Sequence, residues 1–200
     1  MTHPSRAMPT GKQGYTLIEL VVAVGLFALI MTLVAGAYLV MIGLIHHTQG
    51  MASGIDNLSF GLETMTRDIR TGTAYGCDVP NSANSDCPYG GSTFYFVPMG
   101  QPGESAYYSL STEKNANGVP TGVLTKTTQT AQGISTEPLT DPSAVDITSL
   151  KFYLTGSKPG DAYQPYVTMV VSGKIISDEP DDPSQSFTVE TSAAMRGTDL

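Results

Sequence analysis

The chain has 200 residues, a formal net charge of −8 and 40% hydrophobic residues. A surface this acidic repels nucleic-acid phosphates, so no direct nucleic-acid partner is expected. Histidine occurs only at positions 3, 46 and 47, which leaves residues 48–200 without an imidazole for a Ser-His-Asp, Cys-His or His-based metal site and argues against an enzyme.

Residues 1–14 form a short polar segment without hydrophobic periodicity, carrying Arg6 and Lys12 and no acid. Residues 20–45 then run without Asp, Glu, Lys, Arg, His or Pro. As a helix this stretch extends roughly 39 Å at about 1.5 Å per residue, enough to cross a hydrocarbon core of about 30 Å with some tilt. Positive charge upstream of a span stays in the cytoplasm, which puts the C-terminal part outside. The expected location is the cytoplasmic (inner) membrane, crossed once, with the lipid bilayer as a partner.

After position 45 the pattern turns amphipathic. Met51, Ile55, Leu58, Leu62, Met65 and Ile69 recur at helical spacing and predict one buried stripe along a helix reaching about residue 70. Gly50, Gly54 and Gly61 each lower helix propensity by roughly 1 kcal/mol relative to Ala, so packing must hold this part. Residues 72–91 read as a loop containing Cys77 and Cys87, the two cysteines of the chain. Outside the cytoplasm oxidising conditions let disulfides persist, and a Cys77–Cys87 bond is expected. Closing such a loop contributes about 2 to 3 kcal/mol.

Strand-like runs follow at 93–97, 106–110, 122–128, 147–154, 166–173 and 187–192, rich in Val, Thr, Tyr and Phe and separated by Gly, Pro, Asp and Ser. Leu150, Phe152 and Leu154 alternate with Lys151 and Tyr153, as in a half-buried strand. The predicted class is α+β: a long N-terminal helix packed by its second half on a mostly antiparallel sheet. Four segments result: 1–14, a spanning helix over 15–45, its amphipathic continuation over 46–71, and a β-rich domain over 72–200.

The run Lys12-Gln13-Gly14-Tyr15-Thr16-Leu17-Ile18-Glu19-Leu20-Val21-Val22-Ala23 resembles the start of type IV pilins and type II secretion pseudopilins, with Tyr15 where Phe is more usual. The resemblance implies a pilin-like fold and that residues 1–14 are a leader removed by a prepilin peptidase between Gly14 and Tyr15, with Tyr15 becoming the N-methylated terminus. A side-chain-free Gly14 suits close approach of a peptidase to the backbone. Glu19 is the one ionisable residue in the apolar segment, where an acid costs roughly 2.5 to 3.5 kcal/mol at a helix centre and less toward an end. By resemblance it faces the terminal amine of a neighbouring subunit and sets the register of assembly. Implied partners are other pilin or pseudopilin subunits and a membrane assembly platform. The later runs, from Glu137-Pro138-Leu139-Thr140-Asp141-Pro142 through Phe187-Thr188-Val189-Glu190-Thr191, are similar to the larger minor pilins and to minor pseudopilins of the J and W types. A structural minor subunit of a type IV pilus is the favoured expectation, ahead of a minor pseudopilin of a type II secretion system.

Two other readings compete. Ala35-Gly36-Ala37 fits a secretory cleavage site, although the apolar run continues to Ile45 and a glutamate inside a signal sequence is unusual. An uncleaved anchor would make the chain a membrane-held extracytoplasmic binding protein. No cofactor is expected. Asp178, Glu179, Asp181 and Asp182 form an oxygen-rich cluster that could take calcium, against the plainer reading of a solvated turn between strands.

Overall fold

The computed structural model describes residues 14–78, 85–101, 103–158, 160, 163–176 and 185–196, the side chains of His46 and His47 excepted. A long helix, α1, covers Leu17–Thr71 and is 55 residues long. The chain divides into two compact units between His46 and His47. The first contains the apolar part of α1, whose residues from Leu17 to Ile45 are exposed apart from a half-buried Ile42. By length and composition this helix can cross a membrane.

The second unit begins with the amphipathic part of α1 and continues, among the described residues, into nine strands: β1 (Thr73–Cys77), β2 (Cys87–Gly91), β3 (Phe94–Val97), β4 (Ser105–Lys114), β5 (Pro120–Thr130), β6 (Gly133–Pro138), β7 (Val145–Thr155), β8 (Tyr166–Ile175) and β9 (Gln185–Ala194). The α+β class with antiparallel pairing is as expected. The single sheet is not: the strands form two, in the orders β1-β3-β4-β5-β6 and β2-β7-β8-β9. The stretch 72–91 is also more than a loop, because it supplies β1 and β2. These are outer strands of the two sheets, and a Cys77–Cys87 disulfide joins them.

Alternation along β7 turns Leu150, Phe152 and Leu154 inward, all buried, and Val167, Met169 and Val171 of β8 share that side. Facing them are Phe94, Phe96 and Tyr108 of the other sheet. Phe94 stacks on Phe152 with ring centroids 5.3 Å apart, and Phe96 on Tyr108 at 5.3 Å. Offset aromatic contacts of this kind add about 0.5–1.5 kcal/mol each beyond the area they bury. One core therefore serves both sheets.

Leu58, Met65 and Ile69 of α1 enter that core, and Leu62 is half-buried against it. Ile55 departs from the predicted stripe: it is 52% exposed. The contact face passes instead through Gly54 and Gly61, both buried. A methyl group at Gly54 would lie 2.8 Å from Ile175 Cγ2, and one at Gly61 3.4 Å from the carbonyl oxygen of Leu139. These glycines weaken the isolated helix and let it seat on the strands and their connections. Beyond Thr71, the Gly72 N–H still donates to the Asp68 carbonyl at 2.8 Å. The Tyr75 hydroxyl donates to the freed Ile69 carbonyl at 2.6 Å, so the helix end is satisfied from the following strand.

Two polar constellations fix this unit. Asp68 on α1 receives the Tyr108 hydroxyl and the Lys126 ammonium, each 2.6 Å from its Oδ2. This ties the helix to β4 and β5 through charge-assisted bonds. After β1, Asp78 Oδ1 accepts from the Ser92 N–H (2.7 Å), the Ser92 hydroxyl (3.0 Å) and the Thr93 N–H (3.0 Å). Burial acts against its charge, but these bonds and the nearby Lys151 prevail and hold the carboxyl below its usual range.

Candidate functional site

The start of α1 is the place where the sequence concentrates its chemistry. Gly14 and Tyr15 precede the helix and are exposed, and a methyl group built on Gly14 would meet nothing within 4 Å. The backbone between them stands clear of the described residues. Thr16 is the N-cap, since its carbonyl accepts the first helical bond, from Leu20 N–H at 3.2 Å.

Glu19, three residues on, closes a capping box with Thr16. The Thr16 N–H and the Thr16 hydroxyl both donate to Glu19 Oε2, each at 3.0 Å. In return the Glu19 N–H donates to Thr16 Oγ1 at 3.4 Å. The carboxylate also lies in the first turn, at the positive end of the helix macrodipole. Both bonds fall on Oε2, so Oε1 has no hydrogen bond among the described residues. Thr16 was absent from the residues singled out above, although Thr-x-x-Glu before an apolar run is the spacing a capping box requires.

Downstream, the Thr32 hydroxyl is satisfied within the apolar helix: Thr32 Oγ1 donates back to the Ala28 carbonyl at 2.7 Å. Methyl groups built on Gly25, Gly36 and Gly43 would meet nothing within 4 Å, which leaves room for close approach of another backbone there. The region thus combines an accessible peptide bond, a fixed carboxylate and a long lipid-compatible surface.

The other singled-out residues fall elsewhere. Cys77 and Cys87 are bonded to each other and link the sheets. Asp178, Glu179, Asp181 and Asp182 lie outside the described residues. Among the described residues, no group of three or more His, Cys, Asp or Glu is placed to hold a metal ion. His46 and His47 lie within α1.

Residues 10–35 match the family described as the prokaryotic N-terminal methylation motif. The matched span contains Gly14, Tyr15, Thr16 and Glu19 and the first part of the apolar helix. No curated protein matches the chain, and no solved structure does.

Proposed function

We propose, from the match of residues 10–35 to the N-terminal methylation motif and the resemblance of that segment to type IV pilins and pseudopilins, that this chain is a structural minor subunit of a type IV pilus-like filament. One observation carries the reading above the others: α1 offers an apolar exposed surface over 17–45 whose sole carboxylate is already fixed at the helix start.

In this proposal a prepilin peptidase cuts the exposed bond between Gly14 and Tyr15 and the new Tyr15 amine is methylated. Residues 15–45 hold the subunit in the cytoplasmic membrane while the unit from His47 onward stands outside the cytoplasm. Assembly exchanges lipid contacts of the helix for contacts with other pilin or pseudopilin subunits, driven by packing and by polar pairing in a dry environment. The membrane assembly platform extracts the subunit as this exchange proceeds. Glu19 offers its second oxygen to the cationic Tyr15 terminus of a neighbour, and that pairing sets register. The arrangement is one of structure and assembly, with no reaction assigned to the chain.

Mass spectrometry of the chain produced together with a prepilin peptidase tests this. The expected mature N-terminus is Tyr15 carrying one added methyl group. A terminus at Tyr38 would mean secretory cleavage and would defeat the proposal. A chain retaining residues upstream of Gly14 would leave an anchored binding protein in its place.

A further inference from the structure

Where β7 ends and β8 begins, the surface of the second sheet is hollowed. The cleft has a volume of about 600 Å³, inside the range of about 300–1,000 Å³ typical of small-molecule sites. Asp86, Thr155, Lys158, Tyr163, Gln164 and Tyr166 line it, and the exposed wall is mostly carbon. Tyr163 and Tyr166 are the large rings among them, 75% and 45% exposed.

The register extends this aromatic surface. Thr155 pairs with Tyr166 and Tyr153 with Thr168, so Tyr153 and Tyr166 are diagonal neighbours on the outer face. Gly90 makes room for the Tyr153 ring, since a methyl there would come 3.0 Å from its Cε1. The Tyr166 hydroxyl donates to Ser192 Oγ at 2.6 Å and holds that ring in place.

The carboxylate of the cleft is fixed as well. Asp86 Oδ1 accepts from the Ser157 N–H at 2.9 Å and the Ser157 hydroxyl at 2.8 Å. Its Oδ2 stands 4.0 Å from Lys158 Nζ, beyond a direct hydrogen bond. Gln164 donates its amide N–H to the Met195 carbonyl. Gly156, at φ 72°, lets the end of β7 pass this close: a methyl there would lie 2.9 Å from the Gln164 carbonyl oxygen.

Asp86 and Lys158 oppose each other, which favours neither a phosphate nor a metal cation. Exposed amphipathic rings beside a held carboxylate and an ammonium suit a ligand with apolar C–H faces and a rim of hydroxyls. A proline-rich peptide would use the rings but leave the carboxylate and the ammonium unmatched. We propose that this cleft binds a neutral carbohydrate, with one sugar stacked between Tyr163 and Tyr166 and the next running toward Tyr153. The proposal concerns the unit after His46 and does not depend on how the N-terminus is processed.

The test uses the full chain in a sugar-free detergent, applied to an array of neutral and charged glycans alongside a proline-rich peptide. The best neutral glycan is then titrated by tyrosine emission, which is unobscured because the chain has no tryptophan. Binding of at least one neutral glycan is expected, with Tyr163→Ala and Asp86→Asn each weakening it at least about tenfold. Tyr163→Phe, which keeps the ring, and Ile134→Ala, on the distant β6, should leave affinity within about twofold. Near-UV circular dichroism establishes that each variant is folded. The proposal is overturned by no neutral glycan bound, by preference for charged glycans or the peptide, or by unchanged affinity in folded Tyr163→Ala.

Discussion

Gly50 and Gly54 lie four residues apart in one helix, and alanine at either removes the same backbone penalty of about 1 kcal/mol. What differs is the space around the new methyl. At Gly50 it would meet nothing within 4 Å, whereas at Gly54 it would lie 2.8 Å from Ile175 Cγ2 and 3.2 Å from Ile175 Cγ1. Carbon atoms pack best at about 3.5–4.0 Å, so Ile175 would have to retreat by about 0.7 Å or more. Ile175 is buried, and its β-branched side chain has few alternatives at χ1, so the adjustment falls on the backbones of α1 and β8.

Overpacking of this kind costs about 1–3 kcal/mol. Gly50→Ala is therefore expected to stabilise by about 1 kcal/mol. For Gly54→Ala the net change runs from about zero to about 2 kcal/mol of destabilisation. The quantity to measure is the gap of about 1–3 kcal/mol between them, since the helix term cancels. Urea unfolding of the full chain in detergent, followed by tyrosine near-UV circular dichroism, reads it directly. Equal stabilisation by both variants would refute the reasoning, because it would mean that α1 does not seat on β8 at Gly54.

Three further substitutions probe the same unit. Tyr108→Phe removes a bond to the charged Asp68 and should cost about 1.5–3 kcal/mol in the same assay. Burial first, then the Asp68 bond, raises the Tyr108 hydroxyl above its ordinary 10.0; stability present below that pH is lost as pH rises above it, and Tyr108→Phe should flatten this alkaline decline. For Asp78 the sign is opposite: its lowered carboxyl stabilises above the ordinary 3.8 and loses that contribution as pH falls below it, so Asp78→Asn should show a shallower loss of urea midpoint in acid. Gly122→Ala would place a methyl 1.9 Å from the Ile147 carbonyl oxygen where β5 crosses β7, and a loss beyond about 3 kcal/mol is expected, seen as failure to recover folded protein.

The six strands legible in the sequence are those whose burial alternates or whose β-branched and aromatic residues are continuous, such as Phe94–Val97 and Val145–Thr155. The three missed ones lack that signal for identifiable reasons. β1 carries a register shift and Ala74 at φ 57°, so its period of two is broken. β2 reads Cys-Pro-Tyr-Gly-Gly, a composition tolerated because it is an outer strand. β6 is exposed at every position and has no buried face to announce itself. The split into two sheets was hidden in the same way, because strand order is decided by long-range pairing. Ile55 was misplaced because glycine carries no hydrophobic signal: the stripe followed large residues, while the closest contacts run through Gly54 and Gly61. The tyrosine cleft gave no linear sign, since Asp86 and Tyr166 meet only through folding.

Glu19 was half legible, and the missing half changes its energetics. As the sole acid of an apolar run it reads as a charge in need of a cation. The structure first gives it Thr16. A capping arrangement is worth about 1 kcal/mol, typically, to the helix it starts. An acid at the centre of a membrane helix costs roughly 2.5 to 3.5 kcal/mol, and less in the first turn where Glu19 lies. The hydrogen bonds of the box come from neutral donors, so they orient the carboxylate and leave its charge in place. The box therefore holds Oε2 at the helix start, leaves Oε1 without a hydrogen bond among the described residues and leaves the net charge in place. In the proposed filament this is the condition for register: a carboxylate too well held locally to swing along the helix, yet still one cation short of neutrality until a neighbouring terminus arrives.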